Sequence, residues 1–196
     1  MHPRGRPTRV NGYDASPRVL FDTTVLCGAI RNDGINRKLL ALAAQTVDYR
    51  VVLSRVCLLE FYYHALFKGI GGVVYPPETV ESFLDHFVYP ILDNQPAVNS
   101  RVGRHALEIV RRLESPIGKA LAEISDCDTQ TAVALIQDHG LQEPLRHYDE
   151  NDVHVWATAI SEKCKYIVTS NTRRFPPKIG DIEILWPRDF YHMIMD

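Results

Sequence analysis

Short apolar runs, each long enough for a single β-strand, alternate along this chain with segments of helical periodicity. The runs occupy residues 18–22, 49–53, 166–169 and 183–186. Strands of this kind that alternate with helices favour a parallel sheet covered on both faces. The sequence therefore predicts an α/β fold with three layers, α/β/α, and a central parallel sheet. In such folds the functional crevice lies at the carboxyl ends of the strands, where Asp22 and Asn171 both fall.

Helical patterns fill the intervals between these strands. Apolar side chains recur at helical spacing in residues 36–44, and Ser54 is a good N-cap for a second helix that contains Glu60. Residues 24–29 lead toward a turn at residues 32–34, and the Gly- and Pro-rich residues 69–77 end the second helix. Asp149 can cap a later helix whose apolar residues run from Val153 through Trp156 to Ile160.

The chain is expected to form one domain with a helical elaboration. It has 196 residues, 45% of them hydrophobic, which is enough for one sizeable core. Residues 1–17, rich in Pro, Gly and Arg, are expected to form a flexible tail, residues 18–196 the domain, and residues from about 78 to 140 a helical elaboration. No apolar run approaches the roughly 18 residues of a membrane span, and no signal peptide is evident, so a cytoplasmic location without membrane contact is expected.

Charge and cysteine content exclude some classes of site. The formal charge of −2 gives no global basic signal for nucleic acid, so contact with phosphate must come from a local patch or from a metal ion. Cys27, Cys57, Cys127 and Cys164 are scattered and form no C-x-x-C pair. Buried reduced thiols are therefore expected, rather than a zinc knuckle or a disulfide framework.

Three acids stand in apolar sequence, namely Asp22, Glu60 and Asp152. A buried carboxylate needs a partner or a metal ion, and several that converge repel one another unless a divalent cation joins them. Each also has a simpler interpretation. Asp22 could end a strand by bonding turn backbone, Glu60 could pair with Arg55, and Asp152 could belong to a capping box with Asp149.

Four segments together resemble the PIN-domain family, most closely its VapC-like branch. They are residues 21–26 (FDTTVL), 53–60 (LSRVCLLE), 149–159 (DENDVHVWATA) and 167–171 (IVTSN), in the family's order and spacing. The resemblance covers roughly residues 18–190, with the middle region poorly matched. It implies a PIN-like three-layer fold and a metal-dependent endoribonuclease.

The resemblance also implies roles for individual residues. It assigns Asp22, Glu60 and Asp152 as catalytic residues and as ligands of Mg²⁺ or Mn²⁺. Thr24 supports the site where Asn or Ser is common in relatives. Relatives carry Asp at the position of Asn171, or Asn followed by Asp where Arg174 stands, so a fourth acid is missing here.

The loss of that acid has consequences for metal binding. Asn171 can bond a metal-bound water through its carbonyl oxygen but brings no charge, which predicts weaker metal affinity. Asp149 is the nearest acid that could compensate, although it also fits as a helix cap. His147 and His154 flank this pair of acids, yet they lack the spacing of a zinc site, and His154 is expected at the surface or hydrogen-bonded.

The expected reaction is hydrolysis of RNA by a water that the bound ion activates. Arg173, Arg174 and Lys178 could hold flanking phosphates, or could form an ordinary solvated turn. The VapC-like resemblance implies the toxin of a type II toxin–antitoxin pair, with RNA as substrate, a cognate antitoxin protein as partner and a possible homodimer.

Two other classes of function compete with this expectation. The missing acid is also consistent with a catalytically weakened PIN-fold module that binds RNA or protein. A phosphatase of the haloacid dehalogenase type is suggested by residues 21–24 (FDTT), but its motif requires Asp at the position of Thr24.

Overall fold

The computed structural model describes residues 16–46, 48–94, 152–175 and 178–196. They form a five-stranded sheet with the order β2-β1-β3-β5-β4. The strands are β1 (Arg18–Phe21), β2 (Arg50–Val52), β3 (Tyr166–Val168), β4 (Lys178–Ile179) and β5 (Ile182–Leu185). Strands β2, β1, β3 and β5 run parallel to one another, and the short edge strand β4 is antiparallel to β5.

Seven α-helices accompany the sheet within these residues. They are α1 (Thr23–Arg31), α2 (Ile35–Ala43), α3 (Arg55–Tyr63), α4 (Pro77–Phe87), α5 (Tyr89–Asn94), α6 (Val153–Ser161) and α7 (Pro187–Met195). A π-helical turn, His64–Lys68, continues α3 and ends at Gly69, whose φ of 87° favours glycine.

The strands are buried on both faces, because helices cover both. On one face Val19 and Phe21 of β1 pack in a cluster with α1, α2, α3 and α4. On the other face Leu20 packs with Val155 and Trp156 of α6. Successive side chains of a strand point to opposite faces of the sheet. Because helices cover both faces, nearly every side chain of such a strand is buried and must be apolar. The predicted three-layer fold with a central parallel sheet is confirmed.

The structure adds two helices that the sequence pattern did not predict, α1 and the terminal helix α7. Residues 24–29, expected only to lead toward a turn, lie within α1. Gly28, a poor helix former, is placed where α1 meets α2, and a Cβ at this position would lie 1.9 Å from Asn36 Nδ2. Close packing of the two helices therefore explains a glycine that weakens the local helical signal.

Other elements follow their predictions within the described residues. Each predicted strand is present to within a residue or two, and the helices after residue 35 and after Ser54 are confirmed. The predicted elaboration includes α4 and α5, while residues 95–151 lie outside the described part, as do residues 1–15 of the predicted tail. No described helix is long and apolar enough to cross a membrane.

Ser54 fixes the start of α3 and therefore the position of Glu60. Its hydroxyl accepts a hydrogen bond of 3.0 Å from the Cys57 amide, and the residue is buried. We expect Ser54→Ala to lower the free energy of unfolding by about 1 kcal/mol, because an N-terminal amide of the helix loses its acceptor. Chemical denaturation measures the change, and Ser82→Ala on the exposed face of α4 serves as control. Equal stability of both variants would contradict the capping role.

Candidate active site

The carboxyl ends of β1 and β3 lie side by side and bring distant parts of the sequence together. Asp22 follows β1 directly, and its amide donates to the Val168 carbonyl of β3 over 3.1 Å. Thr169 follows β3 and is fully buried. The carboxyl edge of the sheet, where the sequence predicts a functional crevice, therefore brings together residues 147 positions apart in the sequence.

Asp22 is 5% exposed and is held by donors from both of these strand ends. Its Oδ1 accepts from the Thr23 amide at 2.7 Å, which makes Asp22 the N-cap of α1. Its Oδ2 accepts from the hydroxyls of Thr24 at 2.9 Å and Thr169 at 2.7 Å. The simpler interpretation, in which Asp22 bonds nearby backbone, agrees with this geometry, because the carboxylate caps α1 and also bonds Thr169 beyond β3.

Glu60 approaches Asp22 from α3 and shares a partner with it. The Thr23 hydroxyl donates to Glu60 Oε2, while the Thr23 amide donates to Asp22. Glu60 Oε1 lies 3.1 Å from Nε2 of His154 on α6. Residues from α1 and α6 therefore hold the two oxygens of Glu60. The alternative pairing with Arg55 concerns a side chain outside the described residues.

Asp152 joins the same network through Asn171. The Asn171 side-chain amide donates to Asp152 Oδ2 at 3.2 Å, and the Asn171 backbone amide donates to the Thr169 hydroxyl at 3.0 Å. That hydroxyl in turn donates to Asp22. Asp152 precedes α6 and makes no capping bond with its side chain. The three sequence-predicted acids are thus connected by short chains of hydrogen bonds.

Burial is the largest influence on the pKa of Asp22. Burial raises its pKa above the ordinary value; hydrogen bonds from Thr169 and Thr24 lower it, and the charge of Glu60 raises it further. The pKa of the Cys27 thiol is affected by the same two carboxylates. Burial and the charges of Asp22 and Glu60 raise the pKa of Cys27 to about 12, so this thiol stays protonated at neutral pH.

Glu60 and His154 stabilise one another's charged forms. Burial favours the neutral form of each side chain, whereas their hydrogen bond and their opposite charges favour the charged forms. The pKa of Glu60 is lowered as a result, and the pKa of His154 is raised well above its ordinary value with help from the neighbouring Cys57 thiol. Both side chains are only about 15% exposed, so the two form a largely buried ion pair in which Glu60 is ionised.

The donor set suits a hard divalent cation by its chemistry. Asp22, Glu60 and Asp152 supply carboxylate oxygens, which Mg²⁺ and Mn²⁺ prefer. Within the described residues, however, no group of three or more His, Cys, Asp or Glu side chains is arranged to hold an ion as it stands. Hydroxyl, amide and imidazole donors occupy the carboxylate oxygens instead, and an ion would have to replace some of these bonds.

Asn171 and Arg173 follow β3, Lys178 begins β4, and Thr24 lies in the first turn of α1. Thr24 donates to Asp22 and accepts from the Ser170 amide at 2.9 Å, so it ties the two strand ends together. Arg173 is exposed on the 3-10 turn Thr172–Arg174, and Lys178 is exposed with its amine 4.0 Å from Asp181. The side chain of Arg174 and the whole of Asp149 lie outside the described residues.

Sequence reasoning missed Thr23 and Thr169 of this network, and it gave His154 no part in the site. The threonines each follow a strand within one or two residues, which is a position where a hydroxyl can bond the carboxylate of a neighbouring strand end. From sequence, His154 is expected at the surface or hydrogen-bonded rather than in a zinc site; the hydrogen bond is present, and its partner Glu60 lies 94 residues away. Nothing in the local pattern indicates that α3 and α6 meet there.

Comparison with known proteins identifies the family. The sequence model of the PIN domain matches residues 18–173, which is well over half of the chain, so the chain belongs to the PIN-domain family. PIN domains are generally nucleases, which makes nucleic acid the substrate class implied by the family. This membership replaces the phosphatase interpretation. No curated protein and no solved structure matches the chain significantly.

The raised pKa of Asp22 predicts how its substitution changes stability. An acid whose pKa is higher in the folded than in the unfolded protein destabilises the folded state when it is ionised. This destabilisation is complete above the folded pKa, shrinks as the pH falls below it, and is gone below the unfolded pKa. We expect Asp22→Asn to raise Tm by about 2–4 °C at pH 8, which corresponds to roughly 1 kcal/mol, and the gain to shrink in acid.

Thermal unfolding of both proteins between pH 4 and 8 measures this difference. Glu60 and His154 titrate in both proteins, so their contributions largely cancel in the comparison. A Tm of the Asn variant that falls below wild type at pH 8 would show that the hydrogen bonds accepted by ionised Asp22 outweigh its desolvation.

Proposed function

We propose that this protein is a metal-dependent endoribonuclease that hydrolyses RNA phosphodiester bonds. The observation that carries the proposal is the network that joins Asp22, Glu60 and Asp152 at the carboxyl edge of the sheet. Acids from three separate parts of a chain rarely converge without a functional reason, because burial and mutual repulsion both disfavour it. Membership in a family of nucleases supplies the class of reaction.

The three acids would hold Mg²⁺ or Mn²⁺, with Thr24 and Asn171 in supporting positions. When bound, such an ion supplies a Lewis acid that lowers the pKa of a water and offsets charge on the phosphate. The chain's own part is to fix the acids. Thr23 holds Asp22 and Glu60 relative to each other, and Thr169 with Thr24 holds Asp22 against the end of β3.

A conservative substitution of the first acid tests the catalytic role. Asp22→Asn keeps the shape of the side chain and removes its charge, so we expect RNA cleavage to fall by about 100-fold or more as a metal ligand is removed. Asp33→Asn makes the same chemical change at an exposed acid in the turn after α1 and should leave cleavage unchanged. Cleavage of a labelled RNA is followed with Mn²⁺ and with chelator.

The outcomes of this experiment separate the two candidate functions. Cleavage that survives chelator, or that Asp22→Asn leaves unaltered, would contradict a metal-dependent site. RNA binding without cleavage by the wild type would favour the second candidate, a catalytically weakened PIN-fold module. One observation supports that candidate: Asn171 is neutral and donates its side-chain amide to Asp152, whereas the resemblance implies an acid in relatives either at this position or where Arg174 stands.

The basic residues beyond Asn171 are proposed to hold flanking phosphates of the RNA. Arg173 is exposed next to the network, and Arg174 and Lys178 follow it in sequence. We expect the double variant Arg173→Ala with Arg174→Ala to weaken RNA binding and to reduce the slope of log K against log salt concentration by about 1.4, because each phosphate of a single strand that the protein neutralises adds about 0.7 to that slope.

Filter binding or fluorescence anisotropy at several salt concentrations gives this slope. Lys38→Ala, at an exposed position of α2, removes a positive charge elsewhere and is the matched control. A slope equal to that of wild type in the double variant would indicate an ordinary solvated turn.

The toxin role and its partners are proposed on the VapC-like resemblance described above. In this proposal RNA is the substrate, an antitoxin protein is the partner, and the protein can form a homodimer. Induced expression should arrest growth of host cells, whereas expression of Asp22→Asn should not. Rescue by a small protein encoded beside the gene would identify the antitoxin, and normal growth at high expression of active protein would argue against the toxin role.

A further inference from the structure

The segment that continues α3 exposes a group of apolar side chains. Of the six large apolar side chains that are exposed in the described part of the chain, three lie close together in sequence, namely Phe67, Val73 and Val74. Phe67 is 49% exposed and lines an open cavity of about 400 Å³ together with Leu66, Val74, Tyr75, Pro76 and Pro77. Exposed apolar side chains that cluster in this way mark a binding surface, whereas scattered ones do not.

Aromatic rings and basic side chains form two adjacent stripes on this segment. Tyr63 and Phe67 are four residues apart, and their ring centroids are 6.1 Å apart with planes inclined by 31°. His64 and Lys68 each follow one of these rings in sequence. Burial lowers the pKa of His64, the charge of Lys68 lowers it further, and the charge of Glu60 raises it. His64 therefore lies close to both charges, and Lys68 is the permanent cation of the basic stripe.

A second cation reaches this segment from the end of α1. A Cβ added at Gly71, whose φ is 61°, would lie 3.1 Å from both Nε and Cζ of Arg31, so the guanidinium lies against the turn that follows Lys68. Arg31 and Lys68 are both exposed, and neither forms an ion pair with a carboxylate of the described residues. Both cations are therefore open to an anion from outside this part of the chain.

The stripes lead away from the acidic network. Lys68 lies two turns beyond Glu60, which is roughly 12 Å along a helix. The first residue of α1, Thr23, donates to Glu60, and its last residue, Arg31, lies beside Gly71. α1 and the segment from residue 60 to 71 thus run side by side, with acids at one end and cations at the other.

We propose that single-stranded RNA runs from the acidic network along this segment, with one base stacked on Phe67 and neighbouring phosphates held by Lys68 and Arg31. The inference rests on the RNA substrate of the proposed function and requires no metal ion. Aromatic rings beside cations suit a single strand, because every base has a face that can stack and every phosphate attracts a cation. A protein partner would account for the apolar group, but not for two cations that continue from the acids.

Binding of a labelled single-stranded oligoribonucleotide in the presence of a chelator tests the stacking contact without cleavage. We expect Phe67→Leu, which keeps an apolar side chain and removes the ring, to raise Kd by about tenfold. Met193→Ala, at an exposed apolar position of α7, is the control and should leave Kd unchanged. Phe67→Trp should bind as tightly as wild type, and the fluorescence of the added indole should be quenched when the strand binds.

The double variant Arg31→Ala with Lys68→Ala tests the phosphate contacts. We expect it to weaken binding and to reduce the slope of log K against log salt concentration by about 1.4, because two phosphate contacts of a single strand are lost. Lys38→Ala with Lys163→Ala removes two exposed cations elsewhere and should keep the slope of wild type. Thermal unfolding checks that every variant is folded.

The outcomes distinguish this inference from the proposed function. If wild type binds the strand, but the variants at residues 31, 67 and 68 keep its Kd and salt slope, the inference is overturned while RNA stands as the substrate. If Phe67→Leu instead changes the molecular mass in sedimentation and leaves RNA binding unaltered, the apolar group is a protein interface, which also overturns it. If wild type binds no single-stranded RNA, the proposed substrate and the inference both fail.

Discussion

The need to satisfy one buried carboxylate organises the functional edge of this protein. Asp22 is 5% exposed, and a lone ionised carboxylate at such a position would be strongly disfavoured. Its donors are the backbone amide of Thr23 and the hydroxyls of Thr24 and Thr169. Two of them belong to the first turn of α1 and the third to the end of β3. The same bonds that stabilise the acid therefore fix α1 against β1 and fix β1 against β3.

Glu60 and His154 connect the two helical layers across the end of the sheet. α3 packs mainly with the cluster on one face, and α6 packs on the other face with Trp156 at its centre. The 3.1 Å contact between Glu60 and His154 joins these layers at the same edge where Asp22 lies. Because each partner stabilises the other's charged form, removal of either would leave a largely buried charge without its opposite charge.

The fold was predictable because its signals are local, whereas much of the site was not because its contacts are distant in sequence. Apolar runs such as residues 18–22 and the N-cap Ser54 indicate a strand and a helix without any knowledge of neighbours. The acids Asp22, Glu60 and Asp152 stand out by their apolar context and by family resemblance. His154 does not, since its role depends on how α6 is placed against α3. The helix α1 was missed because Gly28 lowers its helical signal, and the reason for that glycine is Asn36 of the next helix.

The parallel pairing of β1 with β3 has a consequence for the time at which the network can form. Thr169, which donates to Asp22, and Ser170, whose amide donates to Thr24, are made 147 and 146 residues after their partners. During synthesis the first strand and α1 can emerge and collapse, but the acid remains without its donors from β3. Pairing over such a separation is also slow, because a long loop must close before the contact forms. A partly synthesised chain that ends before β3 therefore lacks the hydroxyl that links Asp22 to Asp152, which would delay assembly of the network around the three acids until most of the chain has left the ribosome.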